Sequence, residues 1–251
     1  MTTGPTSSPP ATAATQHVPS PHAEPQGGGL AARLNWLRAG VLGANDGIVS
    51  TAGVVVGVAG ATADRGGIFI AGLAALVAGG LSMAAGEYVS VSTQRDTERA
   101  LIAKEKIELT TMPEAELNEL TEIYRQKGLS AGLARQVAEE LTANDALEAH
   151  LDAELHLDED DLASPWTAAF SSAVSFTLGA LLPLLAILLT PPSVRVLVTF
   201  VVVVVALIIT GAASARLGGA QVGRAVLRNV AGGTLAMAVT YTVGRMVGGL
   251  G

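Results

Sequence analysis

Carboxylates carry the chemistry this sequence offers, and they fall into two kinds. Asp46 and Glu87 lie in or beside long apolar stretches, while a dense acidic segment follows further along. A carboxylate inside a membrane-crossing segment costs several kcal/mol unless it is paired or faces a polar pathway. Asp46, in Asn45-Asp46-Gly47, therefore reads as a buried functional acid; the plainer alternative is a helix start at the membrane boundary. Met83 and Glu87 stand at i and i+4, hence on one helix face. A thioether beside carboxylates suits a softer divalent ion such as Fe²⁺ better than Mg²⁺ or Ca²⁺. Ordinary packing of Met83 and an interfacial Glu87 are the plainer readings.

The acidic segment repeats one spacing, Glu105-x-x-Glu108 and Glu116-x-x-Glu119, which puts each pair on one face of its own helix. Two such helices can gather four carboxylates, and Glu154, with His150 one turn before it, can join them. Like charges gathered in this way repel, and a bound dication relieves that repulsion. A solvated acidic surface is the competing account. Between Gln94 and Ala163 stand 18 of the 22 acidic residues but 7 of the 15 basic ones. That imbalance makes cations natural partners and nucleic acid a poor one.

Other chemistry lacks its residues. Cysteine is absent, which excludes disulfides, thiolate metal sites and thiol redox reactions. The Glu-x-x-His pattern of di-iron bundles, the phosphate-binding Walker loop and the Gly-x-Ser-x-Gly elbow are all missing. The chain is not expected to be an enzyme.

The elements that must position these groups follow from hydropathy. Hydrophobic residues make up 49% and charged residues 15%, against about 25% charged in an ordinary soluble domain. A span needs about 20 apolar residues to cross a core of about 30 Å. Five stretches qualify: Ala39–Ala63, Gly66–Gly86, Trp166–Leu189, Val196–Ala215 and Ala225–Val247, the last bracketed by Arg228 and Arg245. The fold class expected is an all-α membrane protein of five transmembrane helices. A three-helix cytoplasmic metal-binding domain falls between spans 2 and 3. Residues 1–32 form a disordered tail, 33–93 the first two spans, 94–163 the acidic domain and 164–251 the last three spans. Within the acidic domain, one helix continues the second span to about Leu109. A capping box at Thr111–Glu114 opens the next, to about Lys127, and Ser130 starts a third reaching His150 or Leu155.

Basic residues set the orientation. Arg33, Arg38, Arg95, Arg99, Lys104, Lys106, Arg216, Arg224 and Arg228 share one side of the membrane, against Arg65, Arg195 and Arg245 on the other. The N-terminus and acidic domain are accordingly expected in the cytoplasm. The alanine- and arginine-rich composition suggests a bacterial plasma membrane.

Taken in order, Asn45-Asp46-Gly47-Ile48-Val49-Ser50, Ser82-Met83-Ala84-Ala85-Gly86-Glu87-Tyr88-Val89-Ser90, Gln94-Arg95-Asp96-Thr97-Glu98, Ser164-Pro165-Trp166 and Gly179-Ala180-Leu181-Leu182-Pro183-Leu184 resemble the signatures of the vacuolar iron transporter family. The resemblance covers roughly Leu34 to the C-terminus. It implies a five-helix homodimer with its pathway at the dimer interface, exporting Fe²⁺ from the cytosol in exchange for protons. Asp46 and Met83 match the family's translocation residues. Glu105, Glu108, Glu116 and Glu119 match its paired cytoplasmic glutamates. Glu154 matches a third-helix glutamate, but His150 and Leu151 stand where a methionine and a further glutamate are expected, and Asp152 is a candidate replacement ligand. Mn²⁺ as main cargo, or a membrane-anchored metal buffer or sensor without transport, are the alternatives.

Overall fold

The computed structural model describes residues 29–159 and 162–250, with side chains from Ala39 onward. The expected N-terminal tail lies outside the described residues but for its last few, which already belong to a helix. Seven α-helices and one π-helical turn make up the described chain, without a strand among the described residues. The helices are α1 (Gly29–Ala61), α2 (Arg65–Thr111), α3 (Pro113–Gln126), α4 (Ala131–His150), α5 (Pro165–Leu189), α6 (Arg195–Leu217) and α7 (Val222–Gly248). The π turn, Leu151–Leu155, extends α4.

Four of these are long and apolar enough to cross a membrane: Ala39–Ala61 of α1, then α2, α5 and α6. The fifth expected span corresponds to α7, which is 27 residues long and packs on α1 and α6. Its arginines at 224, 228 and 245 and its many small residues keep it less apolar than the other four.

Close helix approach explains the small residues of this part. α1 lies against α5, and a Cβ on Gly47 would overlap the Phe176 carbonyl, while one on Gly179 would overlap that of Ala44. The two backbones meet where side chains are absent, a packing mode suited to lipid, which offers no hydrophobic drive for association. Gly47→Ala should therefore push α1 off α5 and cost about 1–3 kcal/mol, an overpacking penalty readable as a lower melting temperature in detergent. Around this contact, Ile48, Ala52, Val203, Leu207 and Met237 form one buried cluster, and Val55, Val56, Ile68, Leu184 and Ile187 another.

Two short connections end this bundle away from the acidic helices. Asp64 caps α2 by accepting from the Gly66 and Gly67 amides at 3.2 and 2.6 Å. Arg195, almost fully buried, donates to the carbonyls of Thr62 and Ala63 at 3.1 and 3.3 Å, and Arg65 donates to that of Thr190. The arginines thus satisfy carbonyls that helix ends leave open.

α2 is one continuous helix of 47 residues, as expected, about 70 Å long at 1.5 Å per residue. It carries the chain from the apolar bundle into the acidic helices without a hinge. The expected capping box is not formed. Thr111 is the last residue of α2, its hydroxyl donating to the Ile107 carbonyl, and Met112 takes the N-cap position without a side-chain bond. Pro113 opens α3 instead, its fixed φ suiting the first helical position. The third acidic helix also departs from a plain helix. Asp145 is non-helical at φ −154° and ψ 103°, and its carboxylate accepts from the Glu148 amide, restarting the helix.

Candidate metal centre

The acidic helices hold together through a small apolar seam. Leu120 of α3 is fully buried against Ala138 and Ala149 of α4 and Ala153 of the π turn, with Leu117, Ile123, Tyr124 and Leu141 around them. Alanines on α4 let α3 approach closely, and this approach carries Glu116 inward. Truncating Leu120 to alanine should cost about 2–5 kcal/mol in this domain and loosen the metal centre, measurable as faster amide exchange in α3 and α4.

At the end of that seam four polar side chains converge from four elements. His150 is fully buried, and its Nδ1 lies 3.1 Å from Glu105 Oε1, 3.8 Å from Glu116 Oε2 and 3.9 Å from Glu154 Oε2. Glu105 and Glu116 are buried as well, at 4% and 5% exposure. Glu105, His150 and Glu154 each offer a ligand atom within 4.8 Å of the others. Among the described residues neither ring nitrogen of His150 has a hydrogen-bond partner of good geometry, and Glu105 Oε1 is likewise unsatisfied. Buried polar atoms without partners are rare in native structures, and an ion is one recognised reason for them. A first-row dication about 2.0–2.2 Å from each donor sets its ligands roughly 3–4 Å apart, so the donors present fit such an ion with small adjustments. Glu154 remains partly open, its side chain 31% exposed, which leaves a route from solvent.

Glu154 follows His150 by four residues and so shares its face. The chain between them winds as a π turn, and His156 then takes a left-handed conformation at φ 52° that ends it. Single π turns of this kind recur at functional sites.

Electrostatics match the crowding. Burial, then the charges of Glu154, Glu116, Glu108 and Glu119, push the Glu105 carboxyl up to about 7. Burial and Glu119 raise Glu116 too, while His150 pulls it the other way. For Glu105 the folded state binds more protons than the unfolded state between the ordinary carboxylate value and about 7. Metal-free stability of this domain should therefore fall as pH rises through that window. Metal affinity should move oppositely, since the ion needs the deprotonated carboxylate. Calorimetry below pH 7 should show affinity falling up to about tenfold per unit, with one proton released per ion bound.

The other expected ligands fall outside the cluster. Glu108 is turned to Lys104, 2.7 Å away, and Glu119 is exposed; the charges of both raise the Glu105 carboxyl. Asp152, the candidate replacement on the third acidic helix, is exposed and lines a separate hollow with Asp145, Glu148 and Asp158.

The membrane residues are placed differently. Asp46 lies in the interior of α1, so the alternative of a helix start at Asn45-Asp46-Gly47 does not hold. Its backbone carbonyl accepts from the Ser50 hydroxyl, and its half-buried carboxylate has no hydrogen bond or ion pair among the described residues. The neighbouring Asn45 Oδ1 is buried and has no hydrogen-bond partner among the described residues. Met83 and Glu87 are half-buried on α2, and no hydrogen bond or ion pair joins Glu87 to Asp46 among the described residues.

Comparison with known proteins covers nearly the same stretch. The family model described as VIT family matches residues 37–245. A protein of Acanthamoeba castellanii named vacuolar iron transporter is 43% identical over 210 residues, 83% of this chain and 77% of the relative. Vacuolar iron transporter homolog 1 of Oryza sativa subsp. japonica is 40% identical, over 88% of this chain and 79% of its own. Vacuolar iron transporter homolog 2.1 of Arabidopsis thaliana is 35% identical over 91% and 89%. The names of these relatives refer to the vacuole and give no support to the bacterial plasma membrane expected from composition. What stands is a membrane protein with several apolar helices.

Proposed function

The chain belongs to the VIT family, and from that premise we propose that it transports Fe²⁺ across a membrane in exchange for protons. The observation that carries the reading is the buried His150 with Glu105, Glu116 and Glu154 within 3.9 Å of its Nδ1. A solvated acidic face has no reason to bury two glutamates and a histidine together. Relatives named vacuolar iron transporter support iron as the cargo.

In this mechanism the ion is collected at the four-residue centre on the cytosolic side and passed along α2. Asp46, Met83 and Glu87 then bind it in the membrane. Protons arriving from the far side compete for the same carboxylate oxygens and release it. Neutralising the ion's charge with carboxylates lowers the cost of crossing the low-dielectric core. No covalent bond is made or broken, so the protein is a transporter and not an enzyme. α7 serves as the fifth span, its terminal arginines reaching to the two interfaces.

A homodimer completes the pathway. The apolar part of α2 is scarcely covered by its own chain, with Phe69, Ile70, Leu73, Val77 and Leu81 exposed on the same helix that carries Met83 and Glu87. Mn²⁺ is a second cargo of the same route, because three carboxylates and one imidazole accept it readily and the buried cytosolic centre contains no thioether.

The test is metal flux into sealed liposomes holding the purified protein, under anaerobic conditions, with and without an imposed pH gradient. Gradient-dependent Fe²⁺ flux is expected. Metal binding without flux would overturn transport and leave a membrane-anchored buffer or sensor.

A further inference from the structure

A stripe of α2 beyond the apolar bundle is basic where the rest of the acidic segment is not. Tyr88, Arg95, Arg99 and Lys106 recur at spacings of seven, four and seven, which places them on one helix face. Tyr88 packs against Trp166 at the start of α5, ring centroids 4.8 Å apart, and Trp166 is largely exposed. Such an aromatic pair at the ends of two apolar helices marks the boundary between hydrocarbon and headgroups. Arg95 is seven residues further along, about 10 Å at 1.5 Å per residue, so its long side chain reaches the headgroup layer.

The stripe forms one wall of a groove of about 350 Å³, lined by Arg95, Arg99, Ile102, Ala103, Lys106, Glu159 and Leu162. Lys106 is matched there by Glu159 at 2.7 Å. The two arginines are not matched: among the described residues neither forms an ion pair, and Arg95 Nε is buried without a hydrogen-bond partner. A buried guanidinium donor left unsatisfied is costly, and an anion with several oxygens is the natural complement of such a group. Ile102, Ala103 and Leu162 form the apolar side of the groove.

We propose that this groove binds the phosphate headgroup of an anionic phospholipid in the leaflet on the side of the acidic helices. Basic pockets between membrane helices hold anionic headgroups by this chemistry. The position of Arg95 argues for lipid over a soluble phosphate, because this end of the groove is the one within a long side chain's reach of the aromatic pair, where headgroups are concentrated. The bound lipid would tie α2 to the linker that leads into α5.

Native mass spectrometry of the full chain, in detergent micelles with equal phosphatidylglycerol and phosphatidylcholine, tests this. Wild type is expected to retain phosphatidylglycerol preferentially. Arg95→Gln with Arg99→Gln should lose about thirtyfold in that affinity, the loss of two surface cations facing an anionic lipid. Arg95→Lys with Arg99→Lys should keep most of the preference. Should the paired glutamines not fold, Arg99→Gln alone, at an exposed residue, carries the test with about a fivefold loss. Unchanged retention in a folded glutamine variant overturns the site. Displacement of the lipid by millimolar inorganic phosphate overturns the lipid as its source.

Discussion

Asp46→Ala is expected to reduce Fe²⁺ flux in sealed liposomes to the leak of empty vesicles while leaving the fold at least as stable as before. Asp46 sits in mid-helix on α1, and its carboxylate has neither an ion-pair nor a hydrogen-bond partner among the described residues. An unpaired carboxylate at membrane depth costs several kcal/mol, so a purely structural role would be served better by alanine. Removing it should relieve that cost, and the melting temperature should hold or rise. A structural residue behaves oppositely, since its loss lowers stability first and flux as a consequence. Transport at the wild-type rate by Asp46→Ala would remove the membrane site from the mechanism. Asp46→Asn refines the result: it keeps the shape and loses the proton-exchanging oxygen, so flux and its pH dependence should disappear together.

The second large effect is expected at the candidate metal centre of the acidic helices. Glu105→Ala with Glu116→Ala should weaken Fe²⁺ or Mn²⁺ binding by at least about a hundredfold, more than the loss of a supporting partner alone produces. The domain should still fold, because its seam rests on Leu120, Ala138, Ala149 and Ala153 and not on the carboxylates. Metal-free, it should melt higher than wild type at neutral pH, since burial and neighbouring charges hold Glu105 up near 7 at the expense of the ionised form. His150→Ala separates ligand from scaffold: it removes a donor and leaves a void, so it should lower both affinity and stability. Isothermal calorimetry and thermal melts with and without metal read all three. Unchanged affinity in the double variant would return the segment to a solvated acidic surface.

These two sites differ in how far the chain alone reveals them. Asp46 stands out as a candidate because a charge inside an apolar run is costly wherever the helix packs, and its place within α1 rather than at a helix start was settled by the fold. The long α2 and the apolar helices were legible, since their lengths and hydropathy are local properties. The paired glutamates were legible as pairs, since helical spacing puts residues three apart on one face. Which of them meet was not. Glu105 and Glu116 turn inward while Glu108 turns to Lys104 and Glu119 to solvent, a choice made by the α3–α4 seam and not by spacing. The capping pattern at Thr111 failed because α2 keeps that residue as its own last turn.

The sequence by itself determined an all-helical chain with an acidic segment set between apolar helices, and it determined which residue types were available to hold a cation. Only the tertiary structure decided which of these residues meet. The packing of α2, α3, α4 and the π turn brings Glu105, Glu116, His150 and Glu154 together and leaves Asp152 lining a separate hollow. Helical spacing is set by local backbone geometry, but this cluster joins residues from four elements. Their convergence depends on how those elements pack, and that is decided by burial over the whole domain.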